Sequence, residues 1–360
     1  MNQKRIVAHL DMDAFFAAIE ERDNPQFRGL PIVVGADPKD GKGRGVVSTA
    51  NYKAREYGIH SAMPISVAWR LSEKARKQGK PPVVFLPTNY FRYSQVSKKI
   101  RKIIQNYASV IEQASVDEFY LDLSFAKSFK KAREICFKVK EEIREKGKLT
   151  CSIGLAPNKL IAKVASAREK PDRFTIVFPS QVNKFLEQLS IREIPGIGPK
   201  TEAYLVRQGI KLVKDLKKVP KNQLKEMFGK WGLDLYEKLR GRDYSPVTEE
   251  YEVKSFGEQE TFLKDTLNSN FISERLAYLC KNVTERFNEE GFKGFRTIVL
   301  TIRFTDFETR TKSLTFKESN NDYNFLKIQA LKLLLPFLDH RENPRGKLIR
   351  LIGVRVEKLA

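Results

Sequence analysis

Cysteine is scarce in this chain: Cys136, Cys151 and Cys280 are the only three among 360 residues. They are too few and too far apart for a disulfide framework, and they fit a reducing compartment. Histidine is as rare, and its three copies lack the spacing of a zinc site. No apolar run approaches the roughly 18 residues of a membrane span, and the N-terminus lacks a signal-peptide profile. Repeats and low-complexity tracts are missing too. Acid is short against base, with 44 Asp+Glu facing 66 Lys+Arg and a formal net charge of +22. Secreted, membrane and fibrous classes are thereby excluded; a cytoplasmic location is expected, without a membrane partner. What the chain does have is 41% hydrophobic residues and 11% aromatics, enough for packed cores despite 31% charged side chains. Its length suits two or three domains. Nearly all the basic surplus lies in residues 1–240, which points to a polyanion such as nucleic acid. A lysine-rich surface serving solubility or heat resistance gives the same total, so the segments must decide.

The segment 5–13 reads as an apolar strand running into a helix at 14–21. Further strands at 31–35, 46–49, 83–86, 110–113, 118–123, 150–155 and 175–177 are interleaved with helices at 50–57, 64–76, 90–106, 127–146 and 157–169. This mixture predicts a first unit, α/β or α+β, with one central sheet. Residues 179–241 read as all-helical and basic. Asp243-Tyr-Ser-Pro-Val-Thr-Glu-Glu250 is a polar linker with turn signals. Beyond it, strands at 252–262, 295–304, 309–316 and 347–358 and helices at 270–290 and 322–338 give the split order β-α-β-β-α-β. The expected fold class is a multidomain chain, α/β and α+β.

Two carboxylate pairs stand at the ends of apolar strands. His9-Leu-Asp11-Met-Asp13 places Asp11 and Asp13 on one face by period-two alternation. Ser115-Val-Asp117-Glu118 sits at a hairpin turn, where alternation sets Asp117 on the apolar face of Phe119, Leu121 and Leu123. A carboxylate there is costly without positive compensation. Glu118 then faces the opposite way, so the turn has to re-aim one of the two. Oxygen donors of this kind favour Mg²⁺, and two ions about 3.5–4 Å apart serve in-line phosphoryl displacement. Either pair alone reads as readily as a turn cap or an ion-pair partner. Together, in one α/β unit, they point to a metal site.

Four motifs follow one another with compatible spacing: Asp11-Met-Asp-Ala-Phe-Phe16; Tyr52-Lys-Ala-Arg55-Glu-Tyr-Gly-Ile; Ser115-Val-Asp117-Glu118; and Cys151-Ser-Ile-Gly154 with Asn158-Lys-Leu and Lys170-Pro171. The set resembles the Y-family (translesion) DNA polymerases, in their DNA polymerase IV or DinB branch with its archaeal relatives. The resemblance implies a right-handed polymerase: palm at 1–19 and 83–178, fingers at 20–82, a thumb at 179–242 with a helix-hairpin-helix, a linker at 243–254 and a little finger at 255–360. It implies that Asp11, Asp117, Glu118 and the backbone carbonyl of Met12 hold two Mg²⁺ ions, with Mn²⁺ as a substitute. Asp13 is not a ligand in that pattern. The implied reaction is attack of a primer 3′-oxygen on the α-phosphate of a deoxynucleoside triphosphate, with low fidelity and at lesions.

By the same resemblance Phe15 and Phe16 belong to the nucleotide site, Phe16 as the steric gate beneath the sugar, although core packing suits Phe15 equally. Tyr52 and Arg55, on one helix face, and Lys170 are implied ligands of the β- and γ-phosphates, Arg as a fork and Lys as a point charge. Ile194-Pro-Gly196-Ile-Gly198-Pro-Lys200 reads as a helix-hairpin-helix whose glycines let backbone amides approach a phosphate. In the last unit Arg303, Arg310 and Lys312 are the expected DNA contacts. Arg296 cannot share a face with Arg303 without a bulge. Expected partners are primer–template DNA and the nucleotide, bound by a monomer. A sliding clamp is a further partner in such families, but the chain ends at Ala360 without a glutamine-and-aromatic clamp-binding tail. A nucleotidyl cyclase would also use a two-carboxylate palm but needs neither the helix-hairpin-helix nor the basic surplus. A DNA-binding scaffold with a silent palm predicts that a metal carboxylate is missing, and none is.

Overall fold

The computed structural model describes residues 5–249, 252–339 and 341–360; the first four residues of the expected palm, Glu250 and Tyr251 of the linker, and residue 340 lie outside them. The chain divides into two compact units between residues 250 and 251. Among the described residues no helix is long and apolar enough to cross a membrane.

The first unit opens with Val7–Met12 (β1), almost wholly buried because both its faces are covered. The chain turns at Ala14, whose φ of 46° and ψ of 45° are left-handed, into Phe15–Asp23 (α1). Ile32–Gly35 (β2), Val47–Ala50 (β3) and Val84–Leu86 (β4) form a three-stranded sheet of their own in the order β3-β2-β4, carrying Tyr52–Arg55 (α2) and Ile65–Lys77 (α3). The expectation of one central sheet is therefore corrected to two. Strands of three or four residues carry no mark of which sheet they join, and β4, counted with the palm segment, pairs parallel with β2. Alternation along β2 divides its side chains: Ile32 and Val34 enter the large core, whereas Val33 packs with Val47, Ile65 and Ala68 in a smaller one.

The large sheet lies further on. Tyr90–Gln105 (α4), Ile111–Gln113 (β5), Glu118–Asp122 (β6), Phe129–Glu142 (α5), Cys151–Ala156 (β7), Lys159–Ala167 (α6) and Phe174–Ile176 (β8) complete it. The strand order is β5-β6-β1-β7-β8, with β1 antiparallel to both neighbours. α5 stops at Glu142 and gives way to a single π-turn over Ile143–Gly147. One sheet face, carrying Leu10, Phe119 and Ile153, packs on α4 and α5. The other, with Val7 and Tyr120, packs on α6 and on the helices that follow. Those are Val182–Glu187 (α7), Pro199–Arg207 (α8), Val213–Leu216 (α9), Lys221–Phe228 (α10) and Lys230–Lys238 (α11), an all-helical segment as expected. The start of the linker is fixed to this unit: the Leu160 N–H donates to Asp243 at 2.9 Å, and the Thr248 N–H to Glu112 at 3.2 Å.

In the second unit Ser255–Thr266 (β9), Ser269–Glu289 (α12), Phe295–Phe304 (β10), Thr309–Asn320 (β11), Tyr323–Leu338 (α13) and Ile349–Leu359 (β12) follow the expected β-α-β-β-α-β order. The antiparallel sheet runs β11-β10-β12-β9. Both helices cover one face, where Leu276 and Leu334 meet Ile298, Leu300, Ile302 and Val354.

Candidate active site

Asp11 and Glu118 are direct cross-strand partners on β1 and β6, on the sheet face that α6 covers. Each carboxylate meets a lysine: Lys170 Nζ pairs with Asp11 Oδ1, and Lys163 Nζ with Glu118 Oε2 at 2.5 Å. Burial pushes the Asp11 pKa up to about 6, against the pull of Lys170 and helped by the like charges of Glu118 and Asp117. Glu118 moves the other way. His9, with Nε2 at 3.8 Å from Glu118 Oε2, and the Lys163 ammonium bring it down to about 2. His9 itself is fully buried, its Nδ1 on the Ser166 hydroxyl at 2.7 Å, and burial pushes its pKa below the usual imidazole value, against the pull of Glu118.

The turn resolves the alternation problem by ending the strand. β6 begins at Glu118, in regular register, and Asp117 is the residue re-aimed. The Ser115 hydroxyl donates to Asp117 Oδ1 at 2.5 Å, and the Asp117 carbonyl accepts the Met12 N–H at 3.0 Å. Asp13 lies one residue past the end of β1, and its carboxylate reaches the side of the sheet that carries Asp11, where Ser152 is the cross-strand partner of Asp11. It is 4% exposed and accepts from the Ser152 hydroxyl at 2.8 Å and from the Asp172 N–H at 2.8 Å. Its role is to tie the β1–α1 turn to the neighbouring strand and to the loop that carries Lys170.

The nucleotide candidates gather beside these carboxylates, with one exception. Arg55 lies over the Tyr52 ring at 4.5 Å, and the Tyr52 hydroxyl reaches Asp13 at 3.5 Å. Burial and then the Asp13 charge push the Tyr52 pKa up to about 12. Phe16 is half-buried and stacks on Tyr93 with ring centroids 4.2 Å apart. Phe15 is the exception: at 2% exposure its side chain belongs to the core, so it is withdrawn from the nucleotide set.

Gly196 and Gly198 lie in the turn before α8. Gly196 has a φ of +103° and sits against Trp231, while Gly198 opens the helix with free space where a Cβ would stand. Lys200, in its first turn, is exposed. In the second unit the three expected contacts do not share a face. Arg303 lies opposite Thr309, to which it donates at 2.9 Å, on the face without helices. Arg310 and Lys312 lie opposite the core residues Ile302 and Leu300. They point to the helix side, where Lys312 pairs with Glu342 at 2.5 Å and Arg310 with Glu308 at 2.7 Å. Residue parity across two strands fails unless the register is known. A register shift between Phe295 and Thr297 also supplies the irregularity that Arg296 requires.

Among the described residues no three carboxylate, imidazole or thiolate side chains converge as a preformed metal cage. The donor chemistry nonetheless fits hard cations. Asp11, Asp117, Glu118 and the Met12 carbonyl are oxygens at one end of one sheet, and Lys170 and Lys163 supply positive charge where the acids crowd. Sequence reasoning missed Lys163 and His9. Both flank quoted motifs, Lys163 four residues beyond Lys159 on one helix and His9 two before Asp11, but a lone Lys or His carries no signal until β6 is paired with β1. It also missed Arg355, exposed on β12 opposite Val299 of the open face.

Three family models match the chain. Residues 10–167 match the impB/mucB/samB family, 253–360 its C-terminal domain, and 192–243 the thumb domain of DNA polymerase iota. DNA polymerase IV 2 of Methanosarcina mazei is 41% identical over 359 residues, spanning 99% of this chain and 93% of that protein. DNA polymerase IV of Streptococcus mutans is 39% identical over 357 residues, spanning 99% and 92%. Among solved structures, a chimera of the Y-family DNA polymerases Dbh and Dpo4 is similar with a TM-score of 0.83 at 30% identity, covering 98% of this chain and 99% of that one. An insertion ternary complex of Dbh DNA polymerase gives a TM-score of 0.67 at 30% identity, covering 98% of each. With near-complete coverage by such relatives, the chain belongs to the DNA polymerase IV branch of the Y-family DNA polymerases.

Proposed function

We propose that this chain is a template-directed DNA polymerase that extends a primer 3′ end with deoxynucleotides, at low fidelity and past damaged bases, using two Mg²⁺ ions held by Asp11, Asp117, Glu118 and the Met12 carbonyl. Mn²⁺ serves as the substitute. The observation that carries this reading is the cross-strand pairing of Asp11 with Glu118 in one corner with Lys170, Tyr52 and Arg55. When bound, the ions supply the charge that eases ionisation of the primer 3′-hydroxyl and steadies the triphosphate. The chain's own side chains do the positioning. Lys170 leaves Asp11 for a phosphate oxygen, and the Arg55 fork, held over Tyr52, meets a second. Phe16, backed by Tyr93, lies beneath the sugar and crowds a 2′-hydroxyl. Lys163 keeps Glu118 ionised and aimed.

The proposed palm is 1–19 and 83–178, with β4 reassigned to the small sheet of the fingers at 20–82. The thumb, 179–242, grips duplex backbone through Gly196, Gly198 and Lys200. The little finger, 255–360, meets DNA through its open face, Arg303 and Arg355 first. The protein is proposed to work as a cytoplasmic monomer on primer–template DNA and deoxynucleotides. No residue described above favours a scaffold or a cyclase.

The test is primer extension with Mg²⁺ on a primed template, offering four deoxynucleotides or four ribonucleotides, beside Asp117→Ala. Extension with deoxynucleotides alone, lost in the variant, supports the reading. Binding of the primed duplex without extension by either set refutes it.

A further inference from the structure

Outside the active site, one cavity gathers positive charge that nothing above employs. Its volume is about 820 Å³, and Arg22, Arg28, Arg144 and Lys148 line it together with Glu21 and Thr150. The last turn of α1 and the chain just beyond it bring Arg22 and Arg28. The π-turn and the left-handed residue that ends it, with φ 52°, bring Arg144 and Lys148. Two of the four cations are fixed: Arg22 donates to the Gly147 carbonyl at 2.8 Å and to Asp23 at 2.8 Å, and Arg144 to Asp172 at 2.7 Å. Among the described residues Arg28 and Lys148 make no ion pair. Glu21, the single carboxylate of the lining, accepts the Gly29 N–H at 2.9 Å.

Arg22 and Arg144 are compensated by Asp23 and Asp172, so the charge left over in the lining is that of Arg28 and Lys148, which an anion shared between them would neutralise. No aromatic side chain lines the cavity, so it lacks the stacking surface that single-stranded nucleic acid uses. The cavity also backs onto the active-site turn. The Thr150 carbonyl accepts the Asp13 N–H at 3.0 Å, and Asp172, the partner of Arg144, donates its own N–H to Asp13. We propose that this cavity is a second anion site, separate from Tyr52, Arg55 and Lys170, that takes a short oligophosphate: pyrophosphate released by nucleotide addition, or the triphosphate of a waiting nucleotide. The choice of these two sources rests on the polymerase reading; the site itself rests on its lining.

The experiment is calorimetric titration of the full chain, free of divalent metal, with inorganic pyrophosphate, a deoxynucleoside triphosphate, orthophosphate and a short oligothymidylate. The expected result is an oligophosphate site that survives Arg55→Ala and is weakened about tenfold or more in Arg28→Ala/Lys148→Ala, with orthophosphate the weaker ligand. Pyrophosphate binding tighter than the triphosphate assigns the leaving group, and the reverse order assigns the waiting nucleotide. Arg28→Lys/Lys148→Arg, which keeps the charges, should retain binding, and unchanged primer extension by the alanine pair should report an intact fold. The proposal is overturned if the alanine pair binds oligophosphate like the wild type, if Arg55→Ala alone removes all binding, or if only the oligonucleotide responds to the alanine pair. Failure of the wild type to extend a primer would sink the polymerase reading and leave these titrations standing.

Discussion

Asp13→Ala separates a structural acid from the neighbouring carboxylates proposed as metal ligands. The substitution removes a buried carboxylate that accepts two good hydrogen bonds, from the Ser152 hydroxyl and the Asp172 N–H, both at 2.8 Å. A bond to a charged acceptor contributes about 1.5–3 kcal/mol, and each buried donor left without a partner adds to the loss. Relief from holding a charge out of water offsets part of this, so a net loss of about 3–5 kcal/mol is expected. For a urea dependence of about 3 kcal/mol per molar, the unfolding midpoint falls by roughly 1–1.7 M. Trp69 and Trp231 are the only two tryptophans and both lie in the first unit, so their fluorescence follows the affected part. Asp13→Asn keeps an acceptor for one donor and should lose about half as much. Asp117→Ala should show the opposite pattern, with a midpoint within about 0.3 M of wild type and no primer extension. If Asp13→Ala unfolds like the wild type yet loses metal-dependent extension, Asp13 is a ligand and the reasoning fails.

Gly154→Ala should destabilise the first unit by about 3 kcal/mol or more, because the new methyl would stand 2.0 Å from the Ala162 carbonyl and 2.5 Å from the Ser166 N–H; a melting temperature equal to wild type would contradict that packing. All three thiols are buried, and burial pushes Cys151 and Cys280 up to about 12 and Cys136 higher. Thiols that stay protonated when folded but ionise near 8.5 when unfolded favour the unfolded state as pH rises. Stability should therefore fall between about pH 8.5 and 12, by roughly 2 kcal/mol per thiol at pH 10; a Cys151→Ala/Cys280→Ala protein with the same alkaline profile would count against it. Arg303→Ala and Arg355→Ala should each weaken duplex binding and reduce its salt dependence by about one charge, whereas Lys312→Ala should leave both unchanged. Phe16→Ala should admit ribonucleotides in primer extension; continued exclusion would show that another group guards the sugar.

Long periodic elements were legible in the sequence. α4, α12 and α13 differ from expectation by a residue or two, and β10 by none, because each carries an apolar stripe of the right period. What the sequence concealed was partnership. Nothing in Ile32–Gly35 or Val84–Leu86 says that they pair with each other and not with β1. The same gap explains the little finger, where Arg310 and Lys312 looked equivalent to Arg303 until register set them on opposite faces. In the candidate site the carboxylates and their motifs were visible, whereas the lysine counter-charges were not. Lys163 and Glu118 are 45 residues apart and meet only through the sheet.

The double duty of β2 bears on how this enzyme can discriminate among nucleotides. A polymerase that swings its fingers shut on a correct base pair gains selectivity through induced fit, since only the right substrate supplies the energy of closure. Here Ile32 and Val34 are fully buried in the core beneath the small sheet, and Val33 in the core above it. Prising the sheet from the palm would expose two large aliphatic side chains, at about 1.5–3 kcal/mol each. Such an opened state would be populated at about a percent or less. The small sheet and the palm beneath it thus offer right and wrong pairs nearly the same surface before and after binding. Tolerance of irregular base pairs then follows from a strand that has no free side on which to hinge.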